Sequence, residues 1–341
     1  MKLEKAFEYR TVWMGLAAVW VVWFHSTIIP PGSLLLLLKE YGYGGVDIFM
    51  FASGIGCYYS LAKNDNAIAF LKRRFVKIFP TYWCFISLWL LFKLVTSEMP
   101  VSAIIGNVLC VQNFSGQGYE FDWYTGAICW FYLLTPLLYR ISNRLDSWKT
   151  NIGFILFLFI CSLIFWGNYS WIIVAARLPI FFIGILFGKM GKEGSLISKW
   201  NLLVLDALVL VGIVMLRYFS KHYPNYLWSC GLDWYPFILI VPGFCISVSY
   251  LLELMKDNVG KKFLVKIIST IGKYSFEIYL LHMFIFELYG YYFVAAGLVT
   301  NRIRYQLCAI ALLVPGCVLL NKYKSVVLKM IFTIKDKCKM Q

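Results

Sequence analysis

Apolar residues run along this chain in unbroken stretches separated by short polar segments, from near its start to near its end. The runs fall at about 11–29, 45–62, 78–96, 123–139, 152–168, 171–188, 201–216, 235–254, 274–291 and 306–321. Each is long enough to cross roughly 30 Å of hydrocarbon as a helix. They are continuous rather than alternating, so they predict helices and not barrel strands. The pattern therefore predicts an all-α polytopic membrane protein with about ten transmembrane helices. The first run is followed by PPGS, not by a small-residue cleavage site, and carries the bulky Trp13, Trp20 and Trp23. It reads as a retained helix rather than a signal peptide.

Composition supports this reading: 61% of residues are hydrophobic and only 14% are charged, against about a quarter charged in soluble domains. The formal net charge of +15 would suit a nucleic-acid binder, but its distribution argues otherwise. With the N-terminus in the cytoplasm, 25 of the 32 Lys and Arg residues fall on inside loops and tails. Five fall outside (Lys39, Arg217, Lys221, Arg302, Arg304) and two, Lys93 and Arg177, within spans. This is the positive-inside bias, and an even number of spans then puts both termini in the cytoplasm. The basic balance reads as topology plus attraction to anionic lipid. The outside loop at 97–122 has no Lys or Arg but holds Glu98, Glu120 and Asp122. Pro30, Pro31, Trp123, Tyr124, Trp228, Trp234 and Tyr235 crowd the outer ends as an interfacial belt. No repeat, linker or soluble domain interrupts the pattern, so residues 1–341 read as one membrane domain, with 322–341 a basic cytoplasmic tail in a multi-pass protein of the cell membrane. The ten cysteines are scattered, with no CxxC or Cys/His cluster, and read as core filling (Cys57, Cys84, Cys129, Cys161 and Cys245) rather than as a metal or disulfide framework.

Polar groups inside the runs are few, and each is costly in hydrocarbon unless paired or hydrated. His25, Asp47 and Arg177 fall at the outer level of the first, second and sixth helices; Glu277 and His282 lie in the ninth. An imidazole, a carboxylate and a guanidinium at one depth can supply a base, an orienter and an anion-stabilising group. The same three can equally form a satisfied cluster that glues helices together. Lys93 is placed to snorkel, and Asp206 to pair with a basic neighbour. The segment FLKRRFVKIFPTY at 70–82 brings Arg73, Arg74 and Lys77 onto neighbouring helix faces. Such a cluster suits a polyanionic ligand, or a headgroup patch at the membrane surface.

Several of these residues fall in segments that resemble the integral-membrane acyltransferase family 3, which includes O-acetyltransferases of cell-surface polysaccharides. GGVDIFMFASG at 44–54 is similar to that family's G-G-V-D-x-F-F-x-x-S-G segment. A first helix ends in His25. Phe70, Arg74, Lys77, Ile78, Pro80 and Tyr82 follow F-x-x-x-R-x-x-R-I-x-P-x-Y. Trp123 and residues 131–138 follow W…FYLLxPLL, residues 272–282 follow GKxSxxIYLxH, and ARLPIFFIGILFG at 176–188 resembles the sixth-helix region. The resemblance spans about residues 10–290 and implies the ten-helix count. Met14 stands where the family often has Arg, Thr11 where it has Asp, Ile128 where it often has Glu, and Lys77 where it has a second Arg. Arg10, one turn below Met14, is the candidate substitute.

The resemblance implies a membrane O-acyltransferase. An acyl-CoA donor, acetyl-CoA first among the candidates, would place its phosphates at Arg73, Arg74 and Lys77, with Arg10 nearby. His25 would act as base on an acceptor hydroxyl or carry the acyl group, Asp47 would orient it, and Arg177 would stabilise the oxyanion. His282 would join the site, or make a helix–helix hydrogen bond. The acceptor would be a glycan or lipid-linked oligosaccharide outside the membrane. Two alternatives stay open: a transporter of such glycans, and a relative with altered chemistry, for which Met14 and Ile128 speak. The sequence does not fix the oligomeric state.

Overall fold

The computed structural model describes all residues except 27, 29–31, 97–98, 117–121, 290–301 and 340–341, together with the side chains of 289, 302–306 and 327–339. The sequence positions Pro30, Pro31, Glu98 and Glu120, and the side chains of Arg302 and Arg304, lie outside the described residues. The regular elements are helical. They run α1 Leu3–Ala6, α2 Arg10–His25, α3 Ser33–Glu40, α4 Gly45–Lys63, α5 Ala67–Thr96, α6 Val101–Val108, α7 Trp123–Arg144 and α8 Trp148–Ser162. Then follow α9 Tyr169–Ala175, α10 Leu178–Lys192, α11 Lys199–His222, α12 Phe237–Leu254, α13 Val259–Lys273, α14 Ser275–Tyr289 and α15 Arg302–Lys339.

Seven stretches among the described residues are long and apolar enough to cross a membrane: Gly42–Lys63, Ala67–Thr96, Trp148–Phe165, Tyr169–Lys192, Lys199–His222, Phe237–Leu254 and Leu307–Val326. The sequence predicts three further spans, and these correspond to α2, α7 and α14. Two of them are short, with α2 16 residues long and α14 15. α7 reaches 22 residues but mixes polar positions into its apolar face. Two boundaries also differ from the hydrophobic pattern. α5 begins at Ala67 and runs unbroken through Pro80 for 30 residues, so the basic cluster and the apolar run share one rod. The run expected at 171–188 is broken at Arg177, which caps α10.

α4 and α10 form the central contact, α2 lies along α4, and α13 and α14 pack back onto α2. Small residues set these distances, as in other helix pairs that associate without a hydrophobic drive between them. A Cβ built on Gly54 would stand 2.2 Å from the carbonyl oxygen of Phe181, and one on Gly184 would stand 2.2 Å from that of Phe51. The two backbones touch there because neither residue has a side chain. Gly272 does the same for α13 against α2, where a Cβ would meet the Thr11 carbonyl at 1.8 Å. α14 begins three residues after Gly272, so this contact holds the start of the ninth predicted span against the first.

Candidate functional site

The tight α4–α10 contact brings Asp47 and Arg177 together. Arg177 Nε lies 3.4 Å from Asp47 Oδ1, and both side chains are 1% exposed. The guanidinium sits between two indole rings, 4.5 Å from the Trp123 centroid and 4.7 Å from that of Trp234. Its Nη1 donates to the Ile173 carbonyl at 2.6 Å. Such a cation is clamped on several sides, by charge, by ring faces and by a hydrogen bond. Asp47, expected to orient His25, is held by Arg177 instead, and no hydrogen bond joins it to His25. Their common depth was readable from the runs; the pairing follows from the glycine contact between α4 and α10.

His25 instead meets the other predicted histidine. The His25 and His282 rings lie 5.2 Å apart, centroid to centroid. Their surroundings differ. His25 is exposed at the end of α2, packed on Phe24. His282 is fully buried in α14. Its Nδ1 faces the carbonyls of Ile278 and Tyr279. Carbonyls only accept, so Nδ1 carries the proton and Nε2 keeps its lone pair. That Nε2 is buried with no hydrogen-bond partner. The Tyr279 ring packs at a tilt against His282, 5.6 Å between centroids, and its hydroxyl donates to Asp122 Oδ1 at 2.8 Å. Asp122 also caps α7 by accepting from the backbone of Tyr124 and Thr125. Burial raises its carboxyl above the ordinary range, and the Thr125 and Tyr279 hydrogen bonds oppose that rise.

A cavity of about 400 Å³ opens toward the other ends of the same helices. Arg10, Met14, Ser53, Gly56, Arg74 and Lys77 line it, with Tyr124, Ile128, Tyr132, Lys273, Glu277 and Lys324. Arg74 donates to the Gly56 carbonyl at 2.6 Å and packs over the Phe70 and Tyr132 rings. Gly56 leaves room for Arg10, whose Nη1 would lie 2.6 Å from a Cβ there. Lys324 pairs with Glu277 at 3.6 Å and donates to the Thr81 hydroxyl at 3.0 Å. Among the described residues no carboxylate forms an ion pair with Arg10, Arg74 or Lys77. Arg73 is placed differently: it is exposed, with its guanidinium against Ser60. Of the four cations proposed from sequence, three therefore share the cavity. Met14, Thr11, Ile128 and Lys77, the four departures from the family pattern, all line it.

The cavity and the histidines are neighbours. Glu277 lines the cavity, and His282 stands five residues further along α14, about 7.5 Å on at the helical rise. Tyr124, also on the cavity wall, packs at a tilt against Tyr279, 4.9 Å between ring centroids.

Several polar partners escaped the sequence reading. Glu287 receives Lys93 and, at 3.2 Å, the Trp89 indole N–H, so Lys93 is paired. Asp206 accepts from the Ser247 hydroxyl at 2.6 Å rather than from a cation. Asp233, buried in the loop before α12, adjoins Tyr43 and the Arg177 charge. A lone acid among aromatics, GLDWYP, was the available signal for it. Cys57, Cys84, Cys129 and Cys245 are buried free thiols.

No curated protein and no solved structure matches the chain. The family profile of the acyltransferase domain does match, over residues 13–322, a stretch that includes both histidines, the Asp47–Arg177 pair and most of the cavity wall. The chain belongs to acyltransferase family 3 and is a membrane acyltransferase.

Proposed function

We propose that this protein moves a short acyl group, acetyl first among them, from a cytoplasmic acyl-CoA to a hydroxyl of an extracytoplasmic glycan or lipid-linked oligosaccharide. The observation that carries this is the cavity. Five cations line it (Arg10, Arg74, Lys77, Lys273 and Lys324) against one carboxylate, Glu277. Uncompensated cations in a recess match a polyanion such as the phosphates of CoA. Beyond the cavity lies a histidine pair with one free ring nitrogen, the group an acyl transfer to a hydroxyl needs. Phosphates at the basic end and a thioester at the histidines would lie about 22 Å apart, the length of α2 from Arg10 to His25 at its helical rise. The donor would then reach through the bundle, and the acceptor would meet it from the opposite face. Asp47 and Arg177 serve this site as a rigid brace beside the outer ends of the helices.

Membranes expressing the chain should place label from acetyl-CoA covalently on envelope glycan. Arg74→Ala should raise the acetyl-CoA concentration giving half-maximal labelling by about tenfold, as loss of a charge-assisted contact does, and leave the acceptor dependence unchanged. Glycan that crosses the membrane unlabelled would identify a transporter instead and overturn this reading.

A further inference from the structure

Two helices that the protein itself scarcely covers frame a slot on the far side of α10. α8 packs on α10 and α11 packs on α12. Only 11% of the most apolar stretch of each is buried against protein. Between them lies a cavity of about 550 Å³, and no residue lines both this cavity and the basic one. Its walls are apolar over most of their length, with Ile155 on α8, Leu208 on α11 and Ile183 on α10. Polar groups gather at one end only: Asp146, Asn151, Lys189 and Glu193. Along α10 the slot runs from Glu193 to Ile183, about 15 Å at the helical rise. That is half of the roughly 30 Å hydrocarbon core, the depth of one leaflet. A slot one leaflet deep, apolar along its length and polar at the membrane surface, has the layout of a phospholipid.

The polar end selects the headgroup. Lys189 donates to the carbonyls of Ser142 and Leu145 at 2.9 and 3.0 Å, which leaves one of its three N–H groups. Asp146 and Glu193 lie 3.8 and 4.0 Å from its nitrogen, beyond hydrogen-bond reach. The side-chain oxygen of Asn151 is buried with no hydrogen-bond partner. The slot thus offers two carboxylates and an amide oxygen to a donor, and one lysine N–H to an acceptor. Arg144, Lys149 and Lys192 stand nearby in sequence, but none of them lines it. We propose that this slot binds one phospholipid with a primary-ammonium headgroup, phosphatidylethanolamine. Its acyl chains lie between α8 and α11, its ammonium among Asp146, Glu193 and Asn151, and its phosphate toward Lys189. The site is separate from the transferase site and does not rest on the acyltransferase reading. The lipid supplies the packing that α8 and α11 do not obtain from protein. It also lies against α10, whose other end is capped by Arg177, so a filled slot steadies the helix that braces the histidines.

The test uses the intact chain in phosphatidylcholine nanodiscs doped with equal amounts of phosphatidylethanolamine and phosphatidylglycerol. Native mass spectrometry follows release into mild detergent. One phosphatidylethanolamine per chain should stay bound. Relative to its share of the bilayer it should be retained about tenfold over phosphatidylglycerol, the scale of a charge-assisted contact. The same margin should hold over phosphatidylcholine, whose headgroup keeps the charge but has no N–H to give. Its presence should also raise the unfolding temperature, as a ligand of the folded state does. Asp146→Asn with Glu193→Gln should abolish the headgroup preference while a lipid still binds. Both carboxylates are exposed, so this variant folds and decides the question alone. Leu208→Trp, which fills the slot from the α11 wall, should remove the bound lipid and leave the helix content unchanged. An undiminished preference in the double variant overturns the proposal. Phosphatidylglycerol retained in place of phosphatidylethanolamine overturns it too, and would identify an anionic-lipid patch. So does a lipid-free dimer, which would mean that a second copy of the chain covers α8 and α11.

Discussion

At the residue scale the site is a set of polar groups whose partners are set by other helices. Asp233 shows the consequence most directly. Burial pushes its carboxyl up to about 6, against the opposing pull of the Tyr43 hydroxyl and the Arg177 charge. The fold thus binds the Asp233 proton more tightly than the unfolded chain, whose Asp titrates near 3.9. Its contribution to stability is complete below about pH 4 and is lost as the pH rises through about 6. Thermal unfolding in nanodiscs should therefore show wild-type stability falling between those limits more steeply than that of Asp233→Asn. Parallel curves for the two proteins would show that Asp233 does not hold its proton in the fold. Asp47 and Arg177 were legible as intramembrane charges because the cost of a charge in lipid makes each one conspicuous in a run of apolar residues. Their partners were not legible. His25 and His282 stand at opposite ends of the chain, and nothing in either helix's own sequence says which ring faces which. The pairing of Arg10 with the cavity is a similar case, since it depends on a missing side chain at Gly56.

At the element scale the hydrophobic runs located the helices well and their breaks poorly. The run at 171–188 is apolar throughout except for Arg177, so periodicity offers no reason to stop there. The chain breaks there because Pro179, in the first turn of α10, has no N–H to carry the helical ladder on from α9, and Arg177 takes the N-cap position. α5 extends eleven residues before its expected start because Arg73, Arg74 and Lys77 belong to its helical surface even though they are too polar to count as a span. The close packing of α4 on α10 carries the clearest prediction at this scale. A side chain at Gly184 would press on the Phe51 carbonyl oxygen, which is backbone and cannot swing aside. Gly184→Val should cost about 1–3 kcal/mol, as overpacking does, and should lower both the unfolding temperature and the transferase activity by separating Asp47 from Arg177. Gly153→Ala in α8, where nothing lies within 4 Å, is the control and should change neither. Equal effects of the two substitutions would mean that the α4–α10 contact has no special part in the assembly.

At the scale of the whole molecule the distribution of charge decides what the protein can hold. The net charge is +15, yet most exposed cations would be matched by lipid headgroups or salt. The cavity differs because its cations face one another across a recess with one carboxylate among them, and self-repulsion there disfavours the empty fold. A polyanion that binds the folded protein alone relieves this and stabilises by about 2.7 kcal/mol at a concentration 100 times its dissociation constant. CoA should therefore raise the unfolding temperature by a few degrees, the shift expected of that free energy in a chain of several hundred residues. The shift should shrink when salt rises from about 0.05 M to about 0.5 M, because screening shortens the reach of each cation. Replacing Arg10 and Arg74 by Ala together should remove most of it. Arg73→Ala should keep it, because Arg73 points away to Ser60 although it stands beside Arg74 in the sequence. Equal loss in Arg73→Ala would place the anion on the outer face of α5, and the cavity would then no longer be the donor's entrance.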